Sequence, residues 1–452
     1  MRYLPHTQQE IEQMLATIGV PSVDALFETI PDDCRLGRPL AIESGLDEVS
    51  LMRHLTELAA KNQGAKMLSF LGAGIYDHHI PPAVDQLLLR SELYTAYTPY
   101  QPEVSQGTLQ AIWEYQTIAA EILGHPIANA SMYDGASATA EAVLMCRRIT
   151  KRPKAIVCDG VHPEYVETVK TYLSGLETGT EVIRVGLGED GTTDIAALDK
   201  LLDNQVAAVV VGYPNFFGCI ADIKPLAERV HKAGALLVTA TQNPYALALL
   251  EAPGQLGADI SVAEGQAIAT SPSFGGPGVG LFASRSDRKF LQEMPGRLVG
   301  ETVDAKGKRG YVLTLATREQ HIRRDRATSN ICTNQGLVAL SLTIRMCLLG
   351  KQGFVDVARQ CLAKTEYLRG QIASIDGYSV VYPAPTFNEF VVRVPAGGSA
   401  EALFERAARK GILAGVPLSR VLPSRGDQLL VAVTEKHTRE DLDRLVAVFR
   451  DG

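Results

Sequence analysis

Four short apolar runs constrain this chain more than any other feature: Ala155 to Cys158, Val182 to Val185, Val206 to Val211 and Leu236 to Thr239. Amphipathic stretches near 163–174, 194–203 and 222–233 separate most of them. A strand made of unbroken apolar residues has to be covered on both faces. Such strands joined by helices therefore predict a mostly parallel sheet with helices on each side. Gly278 to Ala283 reads as one further strand, and helical periodicity covers 108–124 and 137–150 upstream. A polar block at 300–334 precedes a long helical run over about 335–374. The end alternates again: strands at Tyr378 to Tyr382 and Phe387 to Val394, a helix at 400–410, a strand at Leu429 to Val433, and a closing helix from about Thr438. The first sixty residues or so read as short helices, with Thr7 capping one and Glu10 completing a capping box. Pro21 and Ser22 punctuate before a second amphipathic run. Three parts are expected: a helical segment at 1–60, a large α/β domain at 61–330, and a long helix with a small α+β domain at 331–452.

Composition narrows the function classes. At 46% hydrophobic and 21% charged, the 452 residues have ample apolar material for a core and no sign of extensive disorder. A formal charge of −7 gives no reason to expect nucleic acid or an anionic membrane as partner. The seven cysteines are scattered, without a CxxC or a metal-binding spacing, as expected of reduced thiols in a cytoplasm. The amino terminus has no apolar signal core, and no uncharged apolar run reaches bilayer length. His78 and His79 are adjacent, but no Cys, Asp or Glu at a ligand spacing completes a set, so no metal is expected.

The stretch from Gly257 to Gly280 resembles the cofactor-anchoring segment of the glycine-cleavage P-protein family, pyridoxal-phosphate (PLP) decarboxylases of fold type I. There an Asn-Leu-His-Lys-Thr-Phe run precedes a glycine-rich stretch containing Gly-Gly-Pro-Gly. Aligned on that glycine run, the Schiff-base lysine falls on Gln266, and no lysine lies between Lys232 and Lys289. An amide cannot form an imine with an aldehyde. Tyr94 to Gly107, with its Tyr-Thr-Pro-Tyr-Gln-Pro-Glu core, is nearly the family's sequence. Arg318 to Gln335 is similar to a second family motif, and Gly72 to His79 fits as well. Two positions depart: Asn243-Pro244 stands where relatives carry Asp-Pro, and Arg326 where many carry Lys.

The order of cofactor contacts in fold-type-I enzymes can be checked along the chain. Ser131 to Glu141 has the form of a phosphate cradle at a helix amino terminus. Equally, it makes an ordinary helix capped by Asp134, whose charge would oppose a phosphate. His162 occupies the place of the ring that stacks on the pyridine, or else is a surface histidine at a loop-to-helix junction. Pro214 to Gly218 is either a cofactor-contacting strand end or simply a well-formed turn. The acid that keeps the pyridine nitrogen protonated falls on or beside Ala240, where the chain has none.

The tyrosine segment lacks any periodicity and reads as binding surface more than core. The basic block reads as a solvated charged face unless the family motif is given weight. The resemblance implies the lysine-less subunit of a two-chain, α2β2 glycine decarboxylase. Its second subunit binds PLP covalently, its aminomethyl product passes to the lipoamide of the H-protein, and it works alongside the T- and L-proteins. No catalytic residue is then expected in this chain. Thr328, Ser329 and Thr333 are expected to reach the partner's PLP. Tyr94, Tyr97, Thr98, Tyr100, Gln101, Glu103, Tyr133, Asp134, Arg318, His321, Arg323 and Asn330 are expected to line the shared cleft or interface. Two other readings stay open on sequence alone: a regulatory or scaffolding homodimer, and a lysine-independent PLP enzyme using His162.

Overall fold

The structure is a computed structural model that describes residues 5–176, 179–315 and 318–451, except for the side chain of His321. It forms two compact units, 1–65 and 66–452. In the first, helix Gln8–Ile18 starts at Thr7. The Thr7 hydroxyl accepts the Glu10 N–H at 3.3 Å and the Glu10 carboxylate accepts the Thr7 N–H at 2.7 Å, which is the expected capping box. The helix ends at Gly19, where φ is 85° and a side chain would be strained. Helix Glu48–Ala60, capped by Asp47, closes the unit.

The second unit is built on a seven-stranded sheet. Across it run Ile127–Ala128, Gly280–Ser284, Ile260–Glu264, Leu236–Thr241, Val206–Gly212, Lys154–Cys158 and Glu181–Val185. The last five are parallel, whereas Gly280–Ser284 is antiparallel to both its neighbours. Every residue of Val206–Gly212 is buried, as its unbroken apolar sequence requires. Removing Val209, Val210 and Val211 from water stabilises the fold by about 2 kcal/mol each. Helix Gly135–Thr150 packs on this sheet and against helix Pro163–Ser174.

Two expectations need correction. The polar block contains an antiparallel hairpin, Leu298–Val303 with Arg309–Thr314. Its turn is held by the Asp304 carboxylate, which accepts the N–H groups of Lys306 and Lys308 at 2.8 Å. Val299 and Tyr311 pack inward on Leu109 and Ile112 while charged neighbours face out, so the segment reads as polar although it is half buried. The long helix, Gly336–Ala373, is broken at Gly350 (φ 61°, ψ 178°), a conformation open to glycine and strained for other residues. By length and composition this helix is apolar enough to cross a membrane. Its Val338, Leu342, Phe354 and Cys361 belong to the main core, which accounts for its apolar character.

The carboxyl-terminal part adds a four-stranded antiparallel sheet, ordered Ser379–Val380, Glu389–Arg393, Gln428–Ala432, Val416–Pro417. Helices Ala400–Arg409 and Arg439–Arg450 bury Leu403, Leu445 and Phe449 in a shared core with Phe390 and Val431. Open α/β sheets bind ligands at the carboxyl ends of their parallel strands. Here those ends are Gly212, Thr241 and Glu264.

Candidate functional site

The strand Ile260–Glu264 ends where Gln266 opens a short helix, Gln266–Ala269. Gln266 is buried, and its amide is fully engaged. Its Oε1 accepts the Tyr76 N–H at 3.0 Å, while its Nε2 donates to the Tyr76 carbonyl at 3.2 Å and to the Thr270 carbonyl at 2.7 Å. A lysine has donors but no acceptor, so it cannot reproduce this clasp. The Tyr76 ring is buried as well. Its hydroxyl donates to Glu389 Oε2 at 2.8 Å and lies 3.3 Å from Gln242 Oε1. The segment around Tyr76 is thereby pinned across the strand ends by the Gln266 amide.

The helix amino terminus at Gly135 is also taken. Glu264 Oε2 accepts the Gly135 N–H at 2.8 Å, and Oε1 accepts the N–H groups of Gln266 at 2.9 Å and Val279 at 3.1 Å. Burial pushes this carboxyl up to about 7, against the pull of those three donors. Asp134 caps the same helix by accepting the Ser137 N–H at 2.7 Å, so the capped-helix reading describes it. Two carboxylates therefore hold donors that a phosphate would need.

His162 is a cap too: its Nδ1 accepts the Glu164 N–H at 3.1 Å and its Nε2 donates to the Ala73 carbonyl at 2.9 Å. Burial lowers its pKa, and its ring stacks on Tyr165 with centroids 5.0 Å apart. With both nitrogens engaged in backbone bonds, it is poorly placed to act as a base. Asn215 serves its own turn, accepting from the Phe217 and Cys219 N–H groups at 3.0 Å and donating to the Gly191 carbonyl. Ala240 is buried one residue before the carboxyl end of its strand, with no acid beside it in sequence. A cavity of about 280 Å³ remains over the crevice, lined by Gly74, Asp134, His162, Glu164, Glu264 and the loop Ser271 to Gly278. The Asp134 and Glu164 carboxylates there oppose a phosphorylated ligand. The residues present do not fit PLP: no lysine lines the cavity, and the donors at the helix amino terminus are occupied.

A second region faces outward. Tyr94, Tyr97, Tyr100, Gln101 and Glu103 are exposed, Tyr97 by 79%, whereas Thr98 is buried. Arg323, Asn330 and Thr333 are exposed, and Thr328 and Ser329 are half-buried. Ser329 donates to Glu141 Oε1 at 2.7 Å, and burial raises the pKa of that carboxyl. The half-buried Tyr133 accepts the Cys332 N–H at 2.9 Å. Arg318 is turned inward, donating to the carbonyls of Met294, Gly296 and Leu315. The His321 side chain lies outside the described part of the structure.

One residue that sequence reasoning missed joins these segments. Arg297, 4% exposed, donates to the Cys332 carbonyl from Nε at 3.0 Å and from Nη2 at 2.6 Å. It also donates to the Tyr100 hydroxyl at 3.0 Å and pairs with Glu319 at 3.1 Å. A lone arginine in a Pro-Gly-Arg-Leu turn carries no signal of such a role.

The histidine pair also turns out differently from expectation. Among the described residues, His78 has Glu435 at 2.6 Å from its Nδ1, and Cys361 Sγ lies 3.7 Å from the same carboxylate oxygen. A three-group cluster thus exists that spacing did not reveal. Burial pushes the Cys361 thiol up. For Glu435 burial acts upward as well, but the His78 contact together with the His79 and Glu435 backbone N–H groups outweighs it and brings the carboxyl to about 2. The contact of 2.6 Å is that of a hydrogen bond, tying the 77–79 segment to the 434–437 turn.

The sheet order, the crevice at its carboxyl edge and the small antiparallel domain define the fold-type-I class of PLP enzymes. A glutamate decarboxylase from Lactobacillus brevis shares that fold with a TM-score of 0.69 at 12% identity, over 94% of this chain and 97% of that one. Residues 1–449 match the family Glycine cleavage system P-protein, and the chain belongs to it. A probable glycine dehydrogenase (decarboxylating) subunit 1 from Sorangium cellulosum (strain So ce56) is 63% identical over 99% of this chain and 98% of its own length. The protein of that name from Desulforamulus reducens is 49% identical over 99% of both. The crystal structure of an inhibitor-bound glycine decarboxylase (P-protein) of the glycine cleavage system superposes with a TM-score of 0.90, at 41% identity over the whole of both chains.

Proposed function

We propose that this chain is the non-lysine subunit of a two-chain glycine decarboxylase. In this reading a second, lysine-bearing subunit holds PLP, which supplies the electron sink for loss of carbon dioxide from glycine. The aminomethyl group then passes to the lipoamide of the H-protein. The names of the relatives support the activity. The observation that carries the division of labour is Gln266, whose amide clasps Tyr76 in the lysine's place.

The chain's own contribution is a wall. The exposed tyrosine segment and the Thr328 to Thr333 segment offer hydroxyls, amides and the Arg323 guanidinium to a shared cleft. Hydroxyls and backbone N–H groups on such a wall orient an anionic ligand and exclude water without taking part in bond making. With no lysine in its crevice, the chain has no obvious chemistry alone. A heterotetramer with a large, apolar interface, commonly about 2,000 Å² or more, is the assembly this reading calls for. The test is glycine decarboxylation with lipoylated carrier, measured against the ratio of the two chains. Activity is expected to saturate near equimolar mixing. Full activity of the lysine-bearing chain alone would overturn the proposal.

A further inference from the structure

We infer that Arg297 is a positioning residue, holding the tyrosine segment and the Thr328 to Thr333 segment in the arrangement that completes the partner's catalytic site. The inference rests on the shared cleft proposed above and names the part of this chain that sets it. Three features carry it.

The first is reach. Arg297 bonds to Tyr100 and to Cys332, and pairs with Glu319, so one side chain joins segments far apart in sequence. The second is geometry. Cys332 is held through both flanking peptides, its carbonyl by two Arg297 nitrogens and its N–H by the Tyr133 hydroxyl. That fixes the direction in which the exposed Thr333 leaves the peptide. The guanidinium also lies over the Tyr100 ring, 4.9 Å from its centroid, and Tyr97 meets that ring edge-on at 6.5 Å. Exposed groups on both segments thus take their orientation from one buried cation.

The third is cost. Burying a guanidinium forfeits its hydration, and ion pairs of this kind often add little net stability compared with apolar packing. The planar fork of arginine is what serves a carbonyl, a hydroxyl and a carboxylate in three directions at once; a lysine ammonium on a flexible stem does not hold that geometry. A brace for stability alone would not require it. Arg297 touches no reacting atom and acts through Tyr100 and Thr333.

The test uses the complex of the full chain with its lysine-bearing partner, comparing wild type, Arg297→Lys, Tyr100→Phe and the double variant. Melting temperature, equimolar assembly by size exclusion, and kcat and KM for glycine are measured. Arg297→Lys should assemble normally and leave KM for glycine nearly unchanged while kcat falls about tenfold or more. Tyr100→Phe should lower kcat, and the double variant should be no worse than Arg297→Lys, because the two act through one arrangement. Wild-type kcat for Arg297→Lys, or losses that multiply in the double variant, would overturn the inference. If Arg297→Lys does not fold, Tyr100→Phe, which removes a single oxygen, decides the matter: unchanged kcat would then refute the inference. An inactive wild-type pair would instead refute the proposed function, so the two failures are distinct.

Discussion

The strand-end crevice and the outward face beside it are built from similar residue types and differ in where their polar groups point. In the crevice Gln266, Glu264, Asp134 and His162 are satisfied by backbone groups of the same chain. On the outward face Tyr94, Tyr97, Gln101, Arg323 and Thr333 are exposed, over a scaffold of buried Arg297 and Glu141 and half-buried Tyr133. A fold can therefore keep the frame of a cofactor site while its donors are spent internally.

Restoring the lysine puts this contrast under the greatest strain. Gln266→Lys should not make the isolated chain active or bind PLP stoichiometrically, since Glu264 and Asp134 still hold the anion donors. It should also destabilise the chain, because the buried Tyr76 N–H loses its acceptor; each such orphaned group costs about 1–3 kcal/mol. Denaturant titration and bicarbonate exchange with glycine read the two effects. Activity well above wild type would mean that the crevice is open after all.

On the outward face the expected effects are smaller and fall on rate rather than stability. Tyr97→Phe, Tyr100→Phe, Arg323→Ala and Thr333→Ala should leave the melting temperature within a few degrees and lower the activity of the reconstituted enzyme. A tenfold loss corresponds to about 1.4 kcal/mol of transition-state stabilisation. Full activity in all four would place the shared surface elsewhere.

The smallest effect concerns pH. Burial pushes the Glu389 carboxyl up to about 7, partly offset by the Ala73 N–H and the Tyr76 hydroxyl. A carboxyl raised in this way contributes stability that is complete below its unfolded pKa, near the ordinary 4.5, and is lost as pH rises through 7. Melting temperature should therefore fall between about pH 5 and pH 8, and Glu389→Gln, which stays neutral, should flatten that slope. An unchanged slope would assign the pH dependence to the other raised groups, Glu264, Glu141 and His231.

The parts of this molecule legible in sequence are those whose chemistry is local or doubly buried. Val206 to Val211 could only be a central strand, and Thr7 and Asp134 cap helices through neighbours three residues away. The hairpin at 298–314 was hidden because few of its residues are buried: Leu298, Val299 and Tyr311 face the core while Glu301, Thr302, Val303 and Arg309 are exposed. The break at Gly350 was hidden because apolar periodicity continues past it. The Gln266 clasp on Tyr76 was not legible, because it joins residues 190 positions apart. Glu264 carried a faint signal, an acid at the end of a mostly apolar strand. Arg297 and the His78, Cys361 and Glu435 cluster carried none, because their partners converge only in the folded chain.

Whether the cofactor belongs to the partner or to this crevice can be read by reducing the PLP-loaded complex with borohydride and weighing each chain intact. One pyridoxyl adduct is expected on the lysine-bearing subunit and none on this chain; a stoichiometric adduct on a single lysine of this chain would contradict the assignment of the cofactor to the partner.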